Sequence, residues 1–360
     1  MNRKDSTTVH AFARQTRSNQ RSVRSLGAPS LPRIVAIGGG TGLPVVLRGL
    51  VKALGQDEPL GDHLTALVTV SDDGGSSGVL RQQLDMLPPG DIRNCLVALA
   101  ADDSHLSSLL QHRFEGHSPL EGHAVGNLLL AALVQQTGSF LEAVERLGEI
   151  LGLRGRVLPV TESKVHLRAE LESGEIIDGE TSIVSAPSPI RRIGFDRPVR
   201  PMPDAIRALV NSDIIVVGPG SLYTSILPNL LVTGVASTIS GLNATRIYVA
   251  NLMTQPGETD AYSLEDHLRA ISEHTNAQLF DYVLVNNAVI PADALAEYAS
   301  QRSEPVLRQE GSRSVEGAVV VERDFVSTSN GLLRHSPDAL AASIIDIWEA
   351  GRRQRPSVGA

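Results

Sequence analysis

The sequence predicts an α/β fold: a doubly wound, mostly parallel sheet with helices on both faces. Three observations carry that prediction. From Arg33 onward, short β-branched runs alternate with longer helical stretches. The runs are apolar on both sides, as strands covered by helices above and below must be. Each run ends in a glycine-rich or polar turn, where open sheets of this class receive ligands.

Taken in order, Ile34-Val35-Ala36-Ile37 reads as a buried strand ending at Gly38. The stretch 43–54 follows as a helix with Pro44 in its first turn, where a missing N–H costs nothing. Residues 64–70 form a second strand, stopped by Ser71-Asp72-Asp73-Gly74-Gly75. Residues 92–152 are helical in pattern throughout, and the almost wholly apolar stretch 125–134 predicts a central, buried helix. The rhythm then changes. Short runs at 157–160, 165–171, 175–177 and 181–184 predict a β-meander at 154–190, inserted between the two halves of the sheet. Later strands are expected at 213–217 before Gly218-Pro219-Gly220, at 246–250 before Asn251, and at 282–285 before Asn286-Asn287.

The chain has 360 residues, enough for a sizeable core, and 33–350 reads as a single α/β domain. Its one cysteine, Cys95, cannot form an internal disulfide, so reducing cytosol is the expected compartment. No apolar run is long enough to span a membrane. Net charge is −8, unevenly spread: the first 33 residues carry seven basic side chains against Asp5, a net of +6, which leaves −14 for the rest. Residues 1–32 therefore read as a disordered basic tail, and 351–360 as a frayed C-terminus. An acidic body with six Phe, five Tyr and one Trp offers few stacking platforms, which argues against nucleic-acid binding.

Seven segments carry chemistry. Gly38-Gly39-Gly40-Thr41-Gly42 joins the first strand to a helix N-terminus, whose free N–H groups favour a phosphate. It matches neither the Walker nor the dinucleotide fingerprint, and a tight turn would also want small residues. Asp72 and Asp73, followed by Ser76, stand where a nucleotide-binding fold places a carboxylate for sugar hydroxyls, and the pair could divide between a hydroxyl and Mg²⁺. A solvated Asx-turn is the plainer reading. Asp91 is expected to cap a helix, with Arg93 at its second position beside Asn94, too far forward to suit the dipole unless an anion holds it. His123 and Asn127 share one face of the apolar helix and are either satisfied in the core or turned to a ligand.

The richest segment follows the strongest late strand, 213–217: Gly218, Gly220, Ser221, Tyr223, Thr224, Ser225 and Asn229 are small or hydroxylated, as an oxygen-rich ligand demands. Asn251, Thr254, Gln255, Glu258 and Thr259 follow the next strand, and two such loops after neighbouring strands point at one cleft. Arg334 precedes Ser336-Pro337, an N-cap with proline at the first helical position, and is a candidate phosphate partner. No Gly-x-Ser-x-Gly elbow occurs, and the spacing of His112, His117 and His123 matches no zinc site.

In order and spacing, these segments, with Met253-Thr254-Gln255-Pro256-Gly257-Glu258-Thr259, resemble the gluconeogenesis-factor (YvcK-type) branch of the CofD-like family over residues 33–350. The resemblance implies a Rossmann-like, cytoplasmic bacterial protein that binds UDP-N-acetylglucosamine, needs no cofactor and supports cell shape under gluconeogenic growth. It leaves a homo-oligomer and regulators of cell-wall synthesis as candidate partners. The sister branch comprises Mg²⁺-dependent 2-phospho-L-lactate transferases acting on a deazaflavin acceptor, the alternative function. Gly220-Ser221-Leu222-Tyr223 stands where those transferases resemble Ser-Asn-Pro, which favours the regulator.

Overall fold

The computed structural model describes residues 31–55, 59–101, 105–309, 314–329 and 332–354. Expectations for 1–30 and 355–360 lie outside the described residues; 351–354, expected to fray, complete the last helix. Strand β1 (Ile34–Gly38) leads into α1 (Leu43–Leu54), and β2 (Gly61–Val68) follows. Helices α2 (Gly75–Leu84), α3 (Gly90–Leu99), α4 (His105–Gln111), α5 (Val125–Thr137) and α6 (Phe140–Leu151) then lead to β3 (Gly155–Pro159). A small unit comprises β4 (Leu167–Leu171), β5 (Ile176–Asp178), α7 (Glu180–Val184) and β6 (Ile190–Phe195). The chain returns through α8 (Pro203–Val210) to β7 (Ile214–Val217), a π-helical turn (Leu222–Ile226), α9 (Leu227–Leu230), α10 (Val235–Gly241) and β8 (Thr245–Val249). It ends with α11 (Leu264–Thr275), β9 (Tyr282–Asn286), α12 (Ala292–Ser300), β10 (Ser314–Val315), β11 (Ala318–Arg323), the hairpin of β12 (Val326–Ser329) and β13 (Leu332–His335), and α13 (Pro337–Gln354).

Among the described residues the main sheet has eight strands in the order β10-β11-β9-β8-β7-β1-β2-β3, all parallel except the β10–β11 pair. The expected α/β class is therefore what the chain forms. The alternation of side chains along β1 shows why the sheet needs two covers. Val35 and Ile37 join a core with the π-helical turn, α8, α10 and α11, whereas Ile34 and Ala36 join the opposite core with α1, α3, α6 and α13. The chain winds outward to β2 and β3 on one side of β1 and to β7, β8 and β9 on the other. The order thus reverses between β1 and β7, and a crevice opens at the carboxyl ends of these strands.

Three expectations are corrected. The helical stretch 92–152 is broken: residues 112–124 form a loop pinned by an Arg113–Ala124 bridge. Helix α5 is not central. Gly126, Asn127, Leu130 and Ala131 are buried, but Leu128, Leu129, Leu133 and Val134 are only partly so, because α3 and α6 already cover the sheet and α5 packs outside them. The β-meander is only partly formed. Its first run is β3, an edge of the main sheet, and β4, β5 and the unforeseen β6 make a separate antiparallel sheet. Residues 181–184 are helical, since Asp73, far away in sequence, accepts the first N–H groups of α7.

Candidate functional site

Three loops meet beyond the carboxyl ends of β1, β7 and β8. Together with β13 and α12 they line a cavity of about 210 Å³. Gly40, Thr41 and Gly42 come from the first loop, Gly220, Ser221 and Ser225 from the second, and Asn251, Thr254 and Gln255 from the third. Arg334 and His335 enter from β13, and Tyr298 and Ser303 from the region of α12. Thr41, Val45, Arg334 and His335 also border a second hollow of about 570 Å³ at the start of α1, shared with Arg93 and Asn94.

Packing explains much of the glycine content. A Cβ on Gly42 would lie 2.3 Å from the Pro219 carbonyl oxygen, and one on Gly39 would lie 2.6 Å from an Asp91 carboxylate oxygen. Gly40 has φ +62°, the left-handed region that glycine tolerates. The loop thus needs small residues to lie against the Pro219 segment. Helix α1 starts at its far end with no side-chain cap, and Thr41 is exposed there.

The second and third loops are tied together by amide side chains. Asn251 accepts from the Gly220 N–H at 3.0 Å and donates to the Gly220 carbonyl at 3.0 Å, while the Gln255 amide donates to Ser221 Oγ at 2.7 Å. Glu258 accepts from the Tyr223 N–H and the Thr224 hydroxyl, and its burial pushes its carboxyl up to about 7 against those hydrogen bonds. Asn229 donates to the Gly38 and Ser225 carbonyls, and the Thr259 hydroxyl accepts from the Gln255 N–H. Tyr223 meets Tyr262 hydroxyl to hydroxyl at 2.9 Å inside the core. Tyr223, Thr224, Asn229, Glu258 and Thr259 thus shape the π-helical turn and its neighbour rather than line the cavity, and the same holds for Gly218 at the end of β7.

The Asp91 segment behaves similarly. Helix α3 begins at Gly90, so Asp91 lies in the first turn instead of capping it, and Arg93 sits two places deeper than expected. Asp91 accepts from the Gly40 backbone; burial, the larger effect, raises its carboxyl to about 6. Arg93 donates to Asn127 Oδ1 at 2.8 Å and to Asn94 Oδ1 at 2.8 Å, and Asn94 donates to the Gly40 carbonyl at 3.2 Å. Asn127 donates to Ser76 Oγ, which bonds His123 Nδ1, each at 3.0 Å. His123 and Ser76 are therefore partners in a buried polar chain that holds α2, α3 and α5 behind the glycine loop, and they line neither hollow.

The acidic pair divides its work differently from the expected division. Both Asp73 oxygens accept hydrogen bonds from α7: Glu180 N–H at 2.8 Å, Thr181 N–H at 2.9 Å and Thr181 hydroxyl at 2.8 Å. Asp72 accepts from the Gly74 N–H at 2.9 Å, the Asx-turn. Glu180, which sequence reasoning missed, lies near Asp72 and Asp91, and burial followed by their repulsion pushes it up to about 9. No group of three or more His, Cys, Asp or Glu side chains among the described residues is arranged to hold a metal. Of the pair expected to meet Mg²⁺, Asp73 has both oxygens engaged by α7 and Asp72 has one engaged by the Gly74 N–H. Cys95 is buried, which pushes its thiol well up and leaves it unreactive.

The cavity also has an apolar end that no motif announced. Leu252, Met253 and Leu333 line it with Tyr298, and the same residues form a small hydrophobic cluster with Ile290 and Ala294. Arg48, Gln111 and Arg113 border the second hollow. They belong to ordinary helical and loop sequence, and only folding brings them beside Thr41.

Comparison with known proteins places these features in context. The family model described as 2-phospho-L-lactate transferase CofD matches residues 34–326. A gluconeogenesis factor of Listeria monocytogenes is 42% identical over 315 residues, 87% of this chain and 95% of that protein. The gluconeogenesis factor of Bacillus subtilis is 41% identical over 88% of this chain and 98% of its own length. A crystal structure of a UPF0052-family protein from Bacillus halodurans superposes with a TM-score of 0.81 at 42% identity, covering 87% of this chain and 99% of that one. Among the described residues, no single helix is long and apolar enough to cross a membrane.

Proposed function

The chain belongs to the gluconeogenesis-factor branch of the CofD family, and from that membership we propose that it is a regulatory protein that binds a UDP-sugar, UDP-N-acetylglucosamine. The observation that carries the reading is the convergence of the β1, β7 and β8 loops on one hollow at the point where the strand order reverses. Backbone amides of Gly40 to Gly42 and the Arg334 guanidinium face the diphosphate. The Ser221, Thr254 and Gln255 segments, already cross-braced, supply polar contacts to the sugar, and the Tyr298 end accepts its apolar faces. The protein acts in cell morphogenesis under gluconeogenic growth, through cytoplasmic partners that include regulators of cell-wall synthesis. The transferase alternative asks Asp72 and Asp73 to carry Mg²⁺, and Asp73 is already taken up by α7.

The reading is tested by thermal unfolding with added UDP-N-acetylglucosamine. At about a hundredfold excess over Kd the ligand stabilises by about 2.7 kcal/mol. Arg334→Ala and Thr41→Val shrink that increment while leaving the unliganded midpoint nearly unchanged, since neither side chain is buried in the core. Absence of any midpoint change at millimolar ligand rejects the assignment.

A further inference from the structure

Beside the glycine loop, the larger hollow has a charged lining made only of arginine: Arg48, Arg93, Arg113 and Arg334. That composition is unusual in a chain of net charge −8. Among the described residues, Arg93, Arg113 and Arg334 form no ion pair with a carboxylate, whereas many other arginines do. Arg113 donates to the Gly122 carbonyl and Arg334 to the Leu333 carbonyl, both neutral acceptors. Arg93 is 5% exposed, and its Nε is buried with no hydrogen-bond partner. Burial first, and then repulsion from Arg113, lowers the Arg93 guanidinium to about 10, partly offset by Asp91 and Asp72. Two like charges are thus held close, one of them desolvated, with a donor unused. Such an arrangement costs free energy unless an anion sits between them.

We propose that this hollow is an oxyanion subsite, taking a compact phosphate or carboxylate group, separate from the seat of the nucleotide diphosphate. The forked donors of Arg93 and Arg113 suit a tetrahedral or planar oxyanion, and the uncapped start of α1 adds its dipole from Thr41 and Pro44. Arg334 and His335 border both hollows, so occupancy of one is felt by the other. The anion is either a free small metabolite bound alongside the UDP-sugar or an acidic group carried by the sugar itself. The proposal rests on the binding reading above only for what lies in the neighbouring hollow.

The experiment is calorimetric titration of the full chain. One arm uses inorganic phosphate, with and without saturating UDP-N-acetylglucosamine; the other compares UDP-glucuronate with UDP-glucose. Either phosphate binds in the presence of the UDP-sugar, identifying a free oxyanion, or UDP-glucuronate binds about tenfold tighter than UDP-glucose, identifying an acidic sugar. In both cases Arg113→Gln, at an exposed position, removes that gain about tenfold and leaves UDP-N-acetylglucosamine affinity within about twofold. Displacement of phosphate by UDP-N-acetylglucosamine, with no preference for UDP-glucuronate, would overturn the proposal, because the arginines would then be the diphosphate seat. Failure of both anions to bind also overturns it. If phosphate binds and UDP-N-acetylglucosamine does not, the subsite stands and the nucleotide-sugar reading falls.

Discussion

Replacing Asp73 by alanine removes the acceptor for two backbone N–H groups and one hydroxyl at the start of α7, at 2.8, 2.9 and 2.8 Å. The site is half-exposed, so water recovers part of what is lost. A lost helix cap of this kind costs about 1–2 kcal/mol, where three fully buried bonds to a carboxylate would cost several times more. In a chain of 360 residues that corresponds to a fall in Tm of about 1–3 °C. Asp72→Ala, which gives up one bond to Gly74, falls by less. The assay is thermal unfolding by circular dichroism, with and without UDP-N-acetylglucosamine. Because Asp73 faces α7 and not the cavity, the ligand increment survives the substitution. An unchanged Tm would refute the capping role. A retained Tm with the ligand increment abolished would show instead that Asp73 contacts the ligand directly, and the division of labour drawn from the geometry would be wrong.

Two further outcomes follow from the same geometry. Gly42→Ala places a methyl against the Pro219 carbonyl at 2.3 Å, a backbone atom that cannot swing aside, and destabilises by about 1–3 kcal/mol while weakening ligand binding; Gly241→Ala, with open space around it, is close to neutral. An equally stable Gly42→Ala protein would show that the two loops do not touch. His335, buried and donating its Nε2–H to the Ala250 carbonyl, is held at about 4 by burial, so the unfolded chain takes a proton first. Its contribution is complete above about pH 6.5 and is lost as pH falls toward 4, up to about 3 kcal/mol. His335→Gln flattens that acid limb in denaturant titrations across pH, and an unaltered limb would discount the residue. Glu258, raised to about 7, acts in the opposite sense, shedding stability as pH rises from about 4.5 through 7, so variant and parent are compared at each pH.

Local pattern was enough for the strands of the parallel sheet. A strand buried on both faces is apolar at every position, so β1 and β7 announce themselves, and α1 is bounded by Pro44 near its start and Gly55 after its end. The loops after β1, β7 and β8 were equally legible, because turns that face a ligand in this architecture are short, polar and glycine-rich. Within those loops, residue type did not reveal role. Asn229, Thr259 and Glu258 have the chemistry of ligand contacts, yet they satisfy neighbouring backbone. A buried N–H or hydroxyl needs a partner as much as a ligand does, and one dimension of sequence does not separate the two needs.

Alternating apolar runs and glycine-bounded turns settle which segments become strands and helices here, since those depend on neighbours a few residues away. Three-dimensional contact alone settles that residues 181–184 coil into a helix under Asp73, that α5 is an outer helix, and that Arg93, Arg113 and Arg334 share one hollow. The reason is distance along the chain. Caps, covering layers and clustered charges are supplied by groups tens to hundreds of residues apart, and their energies exist only once the backbone has brought them together.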